Sequence, residues 1–225
     1  MTVSIIIPCY NEERRIIPII SRIKKSKIVD EIVVVDDGSQ SQTKKILSKI
    51  AGINLITHTK NHGKSQAMKT GFLQSTGDIV AFIDADLRNF QTKNITDLVT
   101  PIINNQCDIT LSDRTGDLYL FQAFSAAYTG ERAIKRELLQ KHLQIFKARG
   151  FLIEGAFNKV FFKPNYRLLR VYFPKVRSYA KFLKDGVAGQ INDLKMVSDM
   201  IKYFGLAEMT RQITFAVNLP HFQKK

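Results

Sequence analysis

Two carboxylates, Asp84 and Asp86, stand one residue apart directly after a continuous apolar run, Ile79 to Ile83. Residues i and i+2 of an extended chain point to the same side, so both carboxylates can face one site at the end of a strand. Mg²⁺ and Mn²⁺ are bound by a few carboxylates together with phosphate oxygens and water. The spacing therefore indicates a divalent-metal site, although a solvated acidic turn would look the same when taken alone.

Polar, turn-forming residues follow three further apolar runs. These segments are Pro8-Cys9-Tyr10-Asn11-Glu12, Asp36-Asp37-Gly38-Ser39 and Asn61-His62-Gly63-Lys64. The carboxyl ends of parallel strands meet at one edge of a sheet, and ligands bind there. Solvated loops explain each segment singly but not the set, so we expect one site at this edge.

The elements that must position these residues alternate between strand and helix patterns. The predicted strands are Val3–Ile7, Glu31–Val35, Ile53–Thr57, Ile79–Ile83 and Cys107–Leu111, with starts 28, 22, 26 and 28 residues apart. This spacing suits successive β-α-β units. A helical apolar stripe between the first two strands is formed by Ile16, Ile19, Ile20 and Ile23. The sequence predicts an α/β fold with a mostly parallel central sheet flanked by helices.

Charge is distributed unevenly along the 225 residues. Residues 1–130 carry 15 Lys and Arg against 13 Asp and Glu, a net charge of +2, whereas residues 131–225 carry 19 against 7, a net charge of +12. We expect one domain, with an α/β part over 1–130 and a basic, aromatic and helical elaboration over 131–225 that meets something anionic.

Several classes of protein are disfavoured. Cys9 and Cys107 are far apart and read as reduced core thiols of a cytoplasmic protein. A strand that begins by Val3 leaves no room for a signal peptide, and the longest uncharged stretch, Leu118 to Gly130, is 13 residues, too short to span a bilayer. Neither a P-loop nor a Gly-x-Gly-x-x-Gly motif is present, which argues against a P-loop nucleotidase and a dinucleotide oxidoreductase.

Four segments together resemble family-two glycosyltransferases of the GT-A fold, in the branch of dolichyl- and polyprenyl-phosphate sugar synthases. The segments are residues 5–13, residues 33–39, Gly63-Lys64 and residues 77–86. The resemblance implies a mostly parallel α/β sheet, an inverting hexosyl transfer, a UDP- or GDP-sugar donor, and Mg²⁺ or Mn²⁺ as the cofactor.

The resemblance also implies roles for individual donor-side residues. The nucleoside and donor side would be formed by Pro8, Tyr10, Asn11, Glu12, Asp37, Gly38, Gly63, Lys64, Asp84 and Ala85, with Asp86 on the metal. Asp37 would accept a hydrogen bond from the base, and Lys64 would offset the charge of the diphosphate. Two alternatives stay open: Asp36 as a cap of the turn at Ser39, and Lys64 as a solvated helix residue. His62 reads as a loop residue.

The second half of the chain would supply the acceptor side. Arg114 stands where relatives commonly carry Gly-Ser-Arg, here replaced by Ser-Asp-Arg, and Gly130-Glu131-Arg132 resembles a segment that lies beside donor and acceptor. The competing interpretation has Thr129 capping a helix that runs to about Gln140. Residues 149–154 match a Gly-aromatic-x-x-acid segment, which makes Glu154 the expected base. Alternatively, Glu154 forms a structural salt bridge with Arg149 or Lys159.

Residues 155–184 combine eight Lys or Arg and eight Phe or Tyr without one acid. Such a segment suits the surface of an anionic membrane. Phe157, Phe161 and Phe162 share one face of a predicted helix. In the alternative interpretation, the aromatics form the core of the C-terminal half while the cations are solvated. Interleaved cations and aromatics also suit single-stranded nucleic acid, but nothing else in the sequence resembles a nucleic-acid-binding module. A last helical pattern is formed by Ile191, Leu194, Val197, Ile201 and Phe204.

The sequence therefore predicts a metal-dependent transferase acting on a lipid-linked acceptor hydroxyl or phosphate, in the cytoplasm or at the cytoplasmic face of a membrane. A non-catalytic nucleotide-sugar-binding protein and a transferase for a small soluble acceptor are the alternatives. A nucleotidyltransferase is disfavoured because its Gly-rich, Arg-containing N-terminal loop is absent.

Overall fold

A computed structural model describes residues 1–114, 124, 126–150, 152–178 and 187–222. A seven-stranded sheet runs through it in the order β3-β2-β1-β4-β7-β6-β8. The strands are β1 Val3–Cys9, β2 Glu31–Asp36, β3 Asn54–Thr57, β4 Ile79–Phe82, β6 Ile109–Asp113, β7 Arg132–Lys135 and β8 Leu168–Tyr172; β5 Leu87–Arg88 and β9 Arg177–Ser178 form a separate antiparallel pair. Among the described strands of the large sheet, β7 alone runs against its neighbours.

Helices cover both faces of this sheet. They are α1 Glu13–Lys24, α2 Ser41–Leu47, α3 Lys64–Gln74, α4 Thr92–Ile103, α5 Arg136–Gln140, a 3-10 helix Leu143–Lys147, α6 Leu152–Phe161, α7 Val187–Phe204 and α8 Leu206–Val217. The predicted apolar stripe of α1 is confirmed, since its four isoleucines are at most 1% exposed. Among the described residues, none of the helices combines the length and the apolar character needed to cross a membrane.

The buried side chains form two layers because successive residues of a strand point to opposite faces. Ile5 and Ile7 of β1 belong to the layer that includes the α1 isoleucines, whereas Ile6 belongs to the layer with Phe72 and Phe157. The expectation that both cysteines are core thiols is confirmed: both are buried and unpaired, and burial raises the pKa of each to about 12.

The reversed strand β7 was not predicted from the sequence. Its four residues, Arg-Ala-Ile-Lys, lie between β4 and β6, where Arg132 pairs with Phe82 and with Leu111. Because β7 runs antiparallel, its first residue lies at the edge where the other central strands end. The interpretation of Thr129 as a helix cap is therefore wrong: a strand follows at Arg132, and the helix that ends at Gln140 begins only at Arg136.

The C-terminal part is less helical than expected. Residues 168–172 add an edge strand that pairs in parallel with β6, and β6 itself begins two residues later than predicted, at Ile109. Phe157, Phe161, Phe162 and Phe173 are at most 2% exposed, so the core interpretation holds for these four aromatics, while Tyr172 is 49% exposed. Tyr179, Lys181, Phe182 and Lys184 lie outside the described residues.

One residue of the last predicted helical pattern is not buried. On α7 the chain buries Met200, whereas Ile201 is 41% exposed. The side chains of Ile191 and Leu194 lie outside the part that the structure describes.

Candidate active site

The loop after β1 is held against the loop after β2. The Asn11 backbone has a positive φ of 54°, and its N–H donates to Ser39 Oγ at 2.9 Å. The backbone N–H of Gln40 donates in turn to Asn11 Oδ1 at 2.9 Å. Asn11 therefore joins the two loops, next to Tyr10, which is 48% exposed. Pro8, as part of β1, and Glu12, which pairs with Arg15 at 2.6 Å, flank this junction.

The two aspartates after β2 have different surroundings. Asp36 Oδ1 accepts the backbone N–H of Ser39 at 3.1 Å, as the turn interpretation predicted. Asp37 accepts the backbone N–H groups of His62 at 3.0 Å and Gly63 at 2.7 Å, and contacts His58 Nδ1 at 2.7 Å. Asp37 thus fixes the loop that leads into α3, a role that the sequence did not reveal.

Gly38 permits the close approach of that same loop. Its φ is +74°, and a Cβ at this position would lie 2.4 Å from the carbonyl carbon of Lys60. Gly63 has a φ of +89°, but a Cβ at this position would have no atom within 4 Å. The strain of a substituted residue at Gly38 would therefore come from both the backbone conformation and a collision.

Lys64, the first residue of α3, lies between two acids. Its Nζ is 2.7 Å from Asp84 Oδ1 and 2.7 Å from Glu154 Oε1. Burial by itself would lower the pKa of Lys64, but the two carboxylates raise it above its usual value. Burial likewise opposes ionisation of Asp84, yet the Lys64 ammonium holds the pKa of that carboxyl below its usual value. The interpretation of Lys64 as a solvated residue is therefore wrong.

Gly130 lets the start of β7 approach Asp84. A Cβ on Gly130 would lie 2.3 Å from Asp84 Oδ2, which leaves no room for any larger residue without displacement of the carboxylate. Ala85, the residue between the two aspartates, is 5% exposed. The Asp84 carboxylate is consequently fixed from one side by Lys64 and from the other by the backbone at Gly130.

Glu131 and Arg132 are buried behind this carboxylate. Glu131 Oε2 accepts hydrogen bonds from Ser112 Oγ at 2.8 Å and Thr129 Oγ1 at 2.9 Å, and lies 3.4 Å from Arg114 Nε. Ser112 was not predicted as a site residue, although it lies in the Ser-Asp-Arg segment near the end of β6.

The surroundings of the two arginines shift their pKa values in opposite directions. Arg132 donates to the Thr129 carbonyl, and its guanidinium lies 4.9 Å from the centre of the Phe157 ring. Burial lowers the pKa of Arg132, against the opposing effect of nearby acids. Burial also lowers the pKa of Arg114, but the carboxylates around it more than compensate, so that its pKa is raised. The acids that act on Arg114 are, in order of effect, Glu131, Asp84, Asp86 and Glu154.

Glu154 lies in the first turn of α6 and is 6% exposed. Its ion pair is with Lys64, on another element of the fold, rather than with Arg149 or Lys159. The second oxygen, Oε2, is buried without a hydrogen-bond partner. A buried polar atom without a partner costs free energy, which a bound group with a proton to donate would recover.

The donor set suits a metal ion whose coordination is completed by a ligand. Among the described residues, no group of three or more His, Cys, Asp and Glu side chains is placed to hold a metal. Mg²⁺, however, is commonly bound by one or two carboxylates, with phosphate oxygens and water in the remaining positions. Asp84 and Asp86 fit that arrangement, since both are partly exposed at the end of β4.

The structure therefore brings Lys64, Asp84, Gly130 and Glu154 into contact or close approach, with Arg114, Glu131 and Arg132 beside them. Asp37 contacts the Gly63 loop rather than the ammonium–carboxylate group itself. The residues bordering β1 form the other flank of the same sheet edge. Their roles toward a donor stay predictions.

Two solved structures resemble the fold closely. Glucosyl-3-phosphoglycerate synthase from Mycobacterium tuberculosis, in complex with Mn²⁺, UDP and phosphoglyceric acid, superposes with a TM-score of 0.70 over 97% of this chain and 79% of that one, at 22% identity. The complex of the same enzyme with Mn²⁺, UDP and glucosyl-3-phosphoglycerate gives a TM-score of 0.66 over 85% of this chain and 79% of that one, at 23% identity. The GT-A fold expected from the motifs is confirmed.

Sequence relatives cover shorter segments. An undecaprenyl-phosphate 4-deoxy-4-formamido-L-arabinose transferase of Proteus mirabilis is 38% identical over 96 residues, 39% of this chain and 29% of that protein. A dolichol-phosphate mannosyltransferase of Pyrococcus furiosus is 34% identical over 119 residues, which are 51% of this chain and 33% of that protein. The matched segments thus span about a third of these relatives. The profile described as glycosyl transferase family 2 matches residues 4–165, so the chain belongs to that family.

Proposed function

We propose that the chain is a metal-dependent, inverting glycosyltransferase that moves a sugar from a nucleoside-diphosphate donor to a lipid-linked acceptor hydroxyl or phosphate. The observation that carries the proposal is the position of Lys64 Nζ, 2.7 Å from both Asp84 and Glu154. One ammonium group thus joins the expected donor-side carboxylate to the expected base. A donor sugar bound at this point lies within reach of both.

The donor side must stabilise a leaving group. When the bond between the anomeric carbon and the diphosphate breaks, its electron pair passes to the diphosphate oxygen, where negative charge develops. Lys64 and Arg114 place fixed positive charge at this site. Asp86 would hold a divalent cation, with Asp84 toward the ribose, and the cation would supply Lewis-acid stabilisation of the same charge.

The acceptor side needs a group that removes a proton. Glu154 Oε2 is buried and has no partner, so it is free to accept a proton from an acceptor O–H. The acceptor oxygen then bonds to the anomeric carbon from the face opposite the diphosphate, which inverts the configuration. Lys64 exchanges its contact with Glu154 for one with the donor phosphate during this cycle.

The nucleoside would lie over the β1 and β2 loops. Asp37 already accepts or shares three hydrogen bonds, and a carboxylate offers about four lone-pair sites, so one base N–H can still be accommodated. UDP and GDP both present such an N–H. The similar solved structures hold UDP with Mn²⁺, which supports a nucleoside diphosphate with a divalent cation here.

The names of the relatives favour a polyprenyl-phosphate acceptor. A small soluble acceptor is the second candidate, because the similar solved structure binds phosphoglyceric acid. A purely binding protein is disfavoured by the presence of Asp84, Asp86 and Glu154 in one chain.

A panel of nucleotide sugars, incubated with Mn²⁺ or Mg²⁺ and analysed for free sugar and nucleoside diphosphate, tests the proposal. We expect slow hydrolysis of one UDP- or GDP-sugar, abolished by a chelator and by Asp86→Ala. Binding of a donor with no turnover, even when prenyl phosphates and phosphorylated acids are added, would support the non-catalytic alternative. No binding of any donor would contradict both.

A further inference from the structure

His58, directly after β3, is held between Asp37 and α3 by both of its ring nitrogens. Its Nδ1 lies 2.7 Å from Asp37 Oδ1, and its Nε2 lies 3.0 Å from Thr70 Oγ1. Because the carboxylate accepts in the first contact, Nδ1 carries the proton, and Nε2 is left to accept the proton of the threonine hydroxyl. The ring is therefore fixed with one N–H directed at Asp37.

The two oxygens of the Asp37 carboxylate are not equally occupied. Oδ1 accepts the ring N–H of His58 at 2.7 Å and the backbone N–H of His62 at 3.0 Å. Oδ2 accepts the backbone N–H of Gly63 at 2.7 Å. Each carboxylate oxygen offers about two lone pairs. With respect to the described residues, Oδ1 is therefore saturated, whereas Oδ2 retains one acceptor position.

Asp37 lies beside the residues expected to hold the nucleoside. Its backbone N–H donates to the Cys9 carbonyl at 2.8 Å, one residue before the exposed Tyr10, on which a base can stack. At Gly63 a Cβ would meet no atom within 4 Å, so the backbone that bonds to Oδ2 is open. Only 3% of the Asp37 side chain is exposed. A base that approaches from this open side meets a small part of the carboxylate, enough for one hydrogen bond.

Nucleobases differ in the number of donors that they present on one edge. Uracil presents a single N–H between two carbonyl oxygens, whereas guanine presents its N1–H and its 2-amino group side by side, a pair that matches both oxygens of a carboxylate. At Asp37 the second guanine donor would meet a saturated oxygen and the N–H of His58. A donor that is buried without an acceptor costs free energy. For uracil, the N–H groups on Oδ1 offset charge that would otherwise repel its carbonyl oxygens.

We propose that His58 is a specificity-determining residue, which makes the site select a base with one donor on this edge, such as uracil, over guanine. The proposal rests on the proposed function in one respect, the position of the nucleoside beside Asp37. It adds a choice between two classes of donor, and it assigns that choice to a residue outside the four segments that resemble the family. The selection follows from the occupied Asp37 oxygen rather than from the size of the base.

Calorimetric titration of the full chain with nucleoside diphosphates and Mn²⁺ tests the proposal. UDP, GDP and inosine diphosphate (IDP) are compared, because hypoxanthine keeps the purine ring and the N1–H of guanine but lacks the 2-amino group. Thermal unfolding of every variant verifies folding, and hydrolysis of nucleotide sugars is measured on the same samples.

Three variants separate the ring N–H of His58 from other effects of the loop. His58→Leu removes the donor to Asp37. His58→Asn replaces it, because the amide nitrogen of asparagine is the same number of bonds from the backbone as Nδ1. The control, His62→Ala, removes an imidazole from the same loop but keeps the backbone N–H that Asp37 accepts.

We expect the wild type to bind UDP at least about tenfold more tightly than GDP, and to bind IDP more tightly than GDP. His58→Leu frees one lone pair of Oδ1, so its affinity for GDP should rise to that for IDP or above it. His58→Asn and His62→Ala should keep the wild-type order. The comparison of the three diphosphates on the wild type does not depend on any variant.

GDP binding to the wild type as tightly as IDP would overturn the proposal, even if a nucleotide sugar is hydrolysed and the transferase proposal stands. An unchanged ratio of GDP to IDP affinity in folded His58→Leu, or the same change in His62→Ala, would also overturn it. If the diphosphates are selected as described but no nucleotide sugar is hydrolysed, the assignment of His58 stands and the transferase proposal fails. If no diphosphate binds, both fail.

Discussion

At the scale of single residues, the site is defined by the distribution of charge around Asp84. An ammonium group contacts one carboxylate oxygen, while the Gly130 backbone stands against the other. A partly buried carboxylate of this kind stays ionised because opposite charge lies nearby. The same ammonium contacts Glu154, so under the proposed function donor binding at Lys64 would also change the surroundings of Glu154.

Replacement of Asp86 tests the metal assignment. Asp86→Ala should remove Mn²⁺-dependent binding of UDP, because one of the two carboxylates at the end of β4 is lost, while thermal stability changes little. Calorimetry with UDP and Mn²⁺ measures the affinity, and Glu137→Ala, at an exposed acid on α5, is the control. Undiminished affinity in the variant, or a large loss of stability, would point to a structural aspartate instead.

Replacement of Lys64 tests the coupling. Lys64→Met leaves Asp84 and Glu154 without their shared cation, so we expect UDP affinity to fall by about tenfold because a charge-assisted contact with the diphosphate is lost. Lys60→Met removes an exposed charge from the same loop and should leave the affinity unchanged. Equal effects of the two substitutions would mean that Lys64 acts only through the general electrostatic field.

At the scale of elements, the parallel strands and the loops at their ends were predictable, because buried runs and turn residues are local signals. β7 was not, since Arg-Ala-Ile-Lys carries no strand signature and is placed by pairing with β4 and β6. The bridge at Lys64 was equally hidden, because its partners are 20 and 90 residues away in the chain. Long-range pairing is decided by the whole fold rather than by local propensity.

The edge strand β8 is anchored by an ion-pair cluster at Asp108. Arg167 hydrogen bonds lower the pKa of Asp108 to about 2, with burial opposing and Lys135 assisting. Arg167 belongs to the segment expected to meet an anionic membrane, but it also donates to the carbonyl and Oδ1 of Asn105, so its role in the described structure is to hold β8 to β6.

Arg167→Gln should therefore lower the unfolding temperature at pH 7. A carboxyl whose folded pKa lies below its unfolded value of ~3.9 stabilises the fold above that pH and loses the contribution as the pH falls toward 2. The difference between variant and wild type should accordingly shrink from pH 5 to pH 2, as followed by circular dichroism. Lys163→Gln, at an exposed cation nearby, is the control. A difference that stays constant with pH would exclude linkage through Asp108.

At the scale of the whole molecule, positive charge is concentrated after residue 130. Within residues 155–178, Lys159, Lys163 and Lys175 are exposed, whereas Arg170 is bound to Asp113 and to backbone carbonyls near the C-terminus. The lysines are therefore the cations available to an anionic surface, and each contributes roughly 1 kcal/mol near such a leaflet.

Vesicle co-sedimentation tests whether these lysines contact an anionic membrane. We expect binding to anionic vesicles at low salt, weaker binding at high salt because charges are screened, and little binding to neutral vesicles. Lys159→Gln/Lys163→Gln should reduce the bound fraction, whereas Lys45→Gln/Lys49→Gln should not. Absence of binding to anionic vesicles at low salt would end the membrane interpretation and favour a soluble acceptor.

The most direct test of the account is sugar transfer by Glu154→Gln, with donor affinity measured on the same preparation. The assay follows labelled sugar from the intact nucleotide sugar that the donor panel identifies into farnesyl phosphate at pH 5.5, where the phosphate retains its second proton and a base is required. We predict unchanged donor affinity and a fall in transfer of roughly two to four powers of ten, with Glu137→Gln equal to the wild type. Transfer by Glu154→Gln at the wild-type rate would contradict the account.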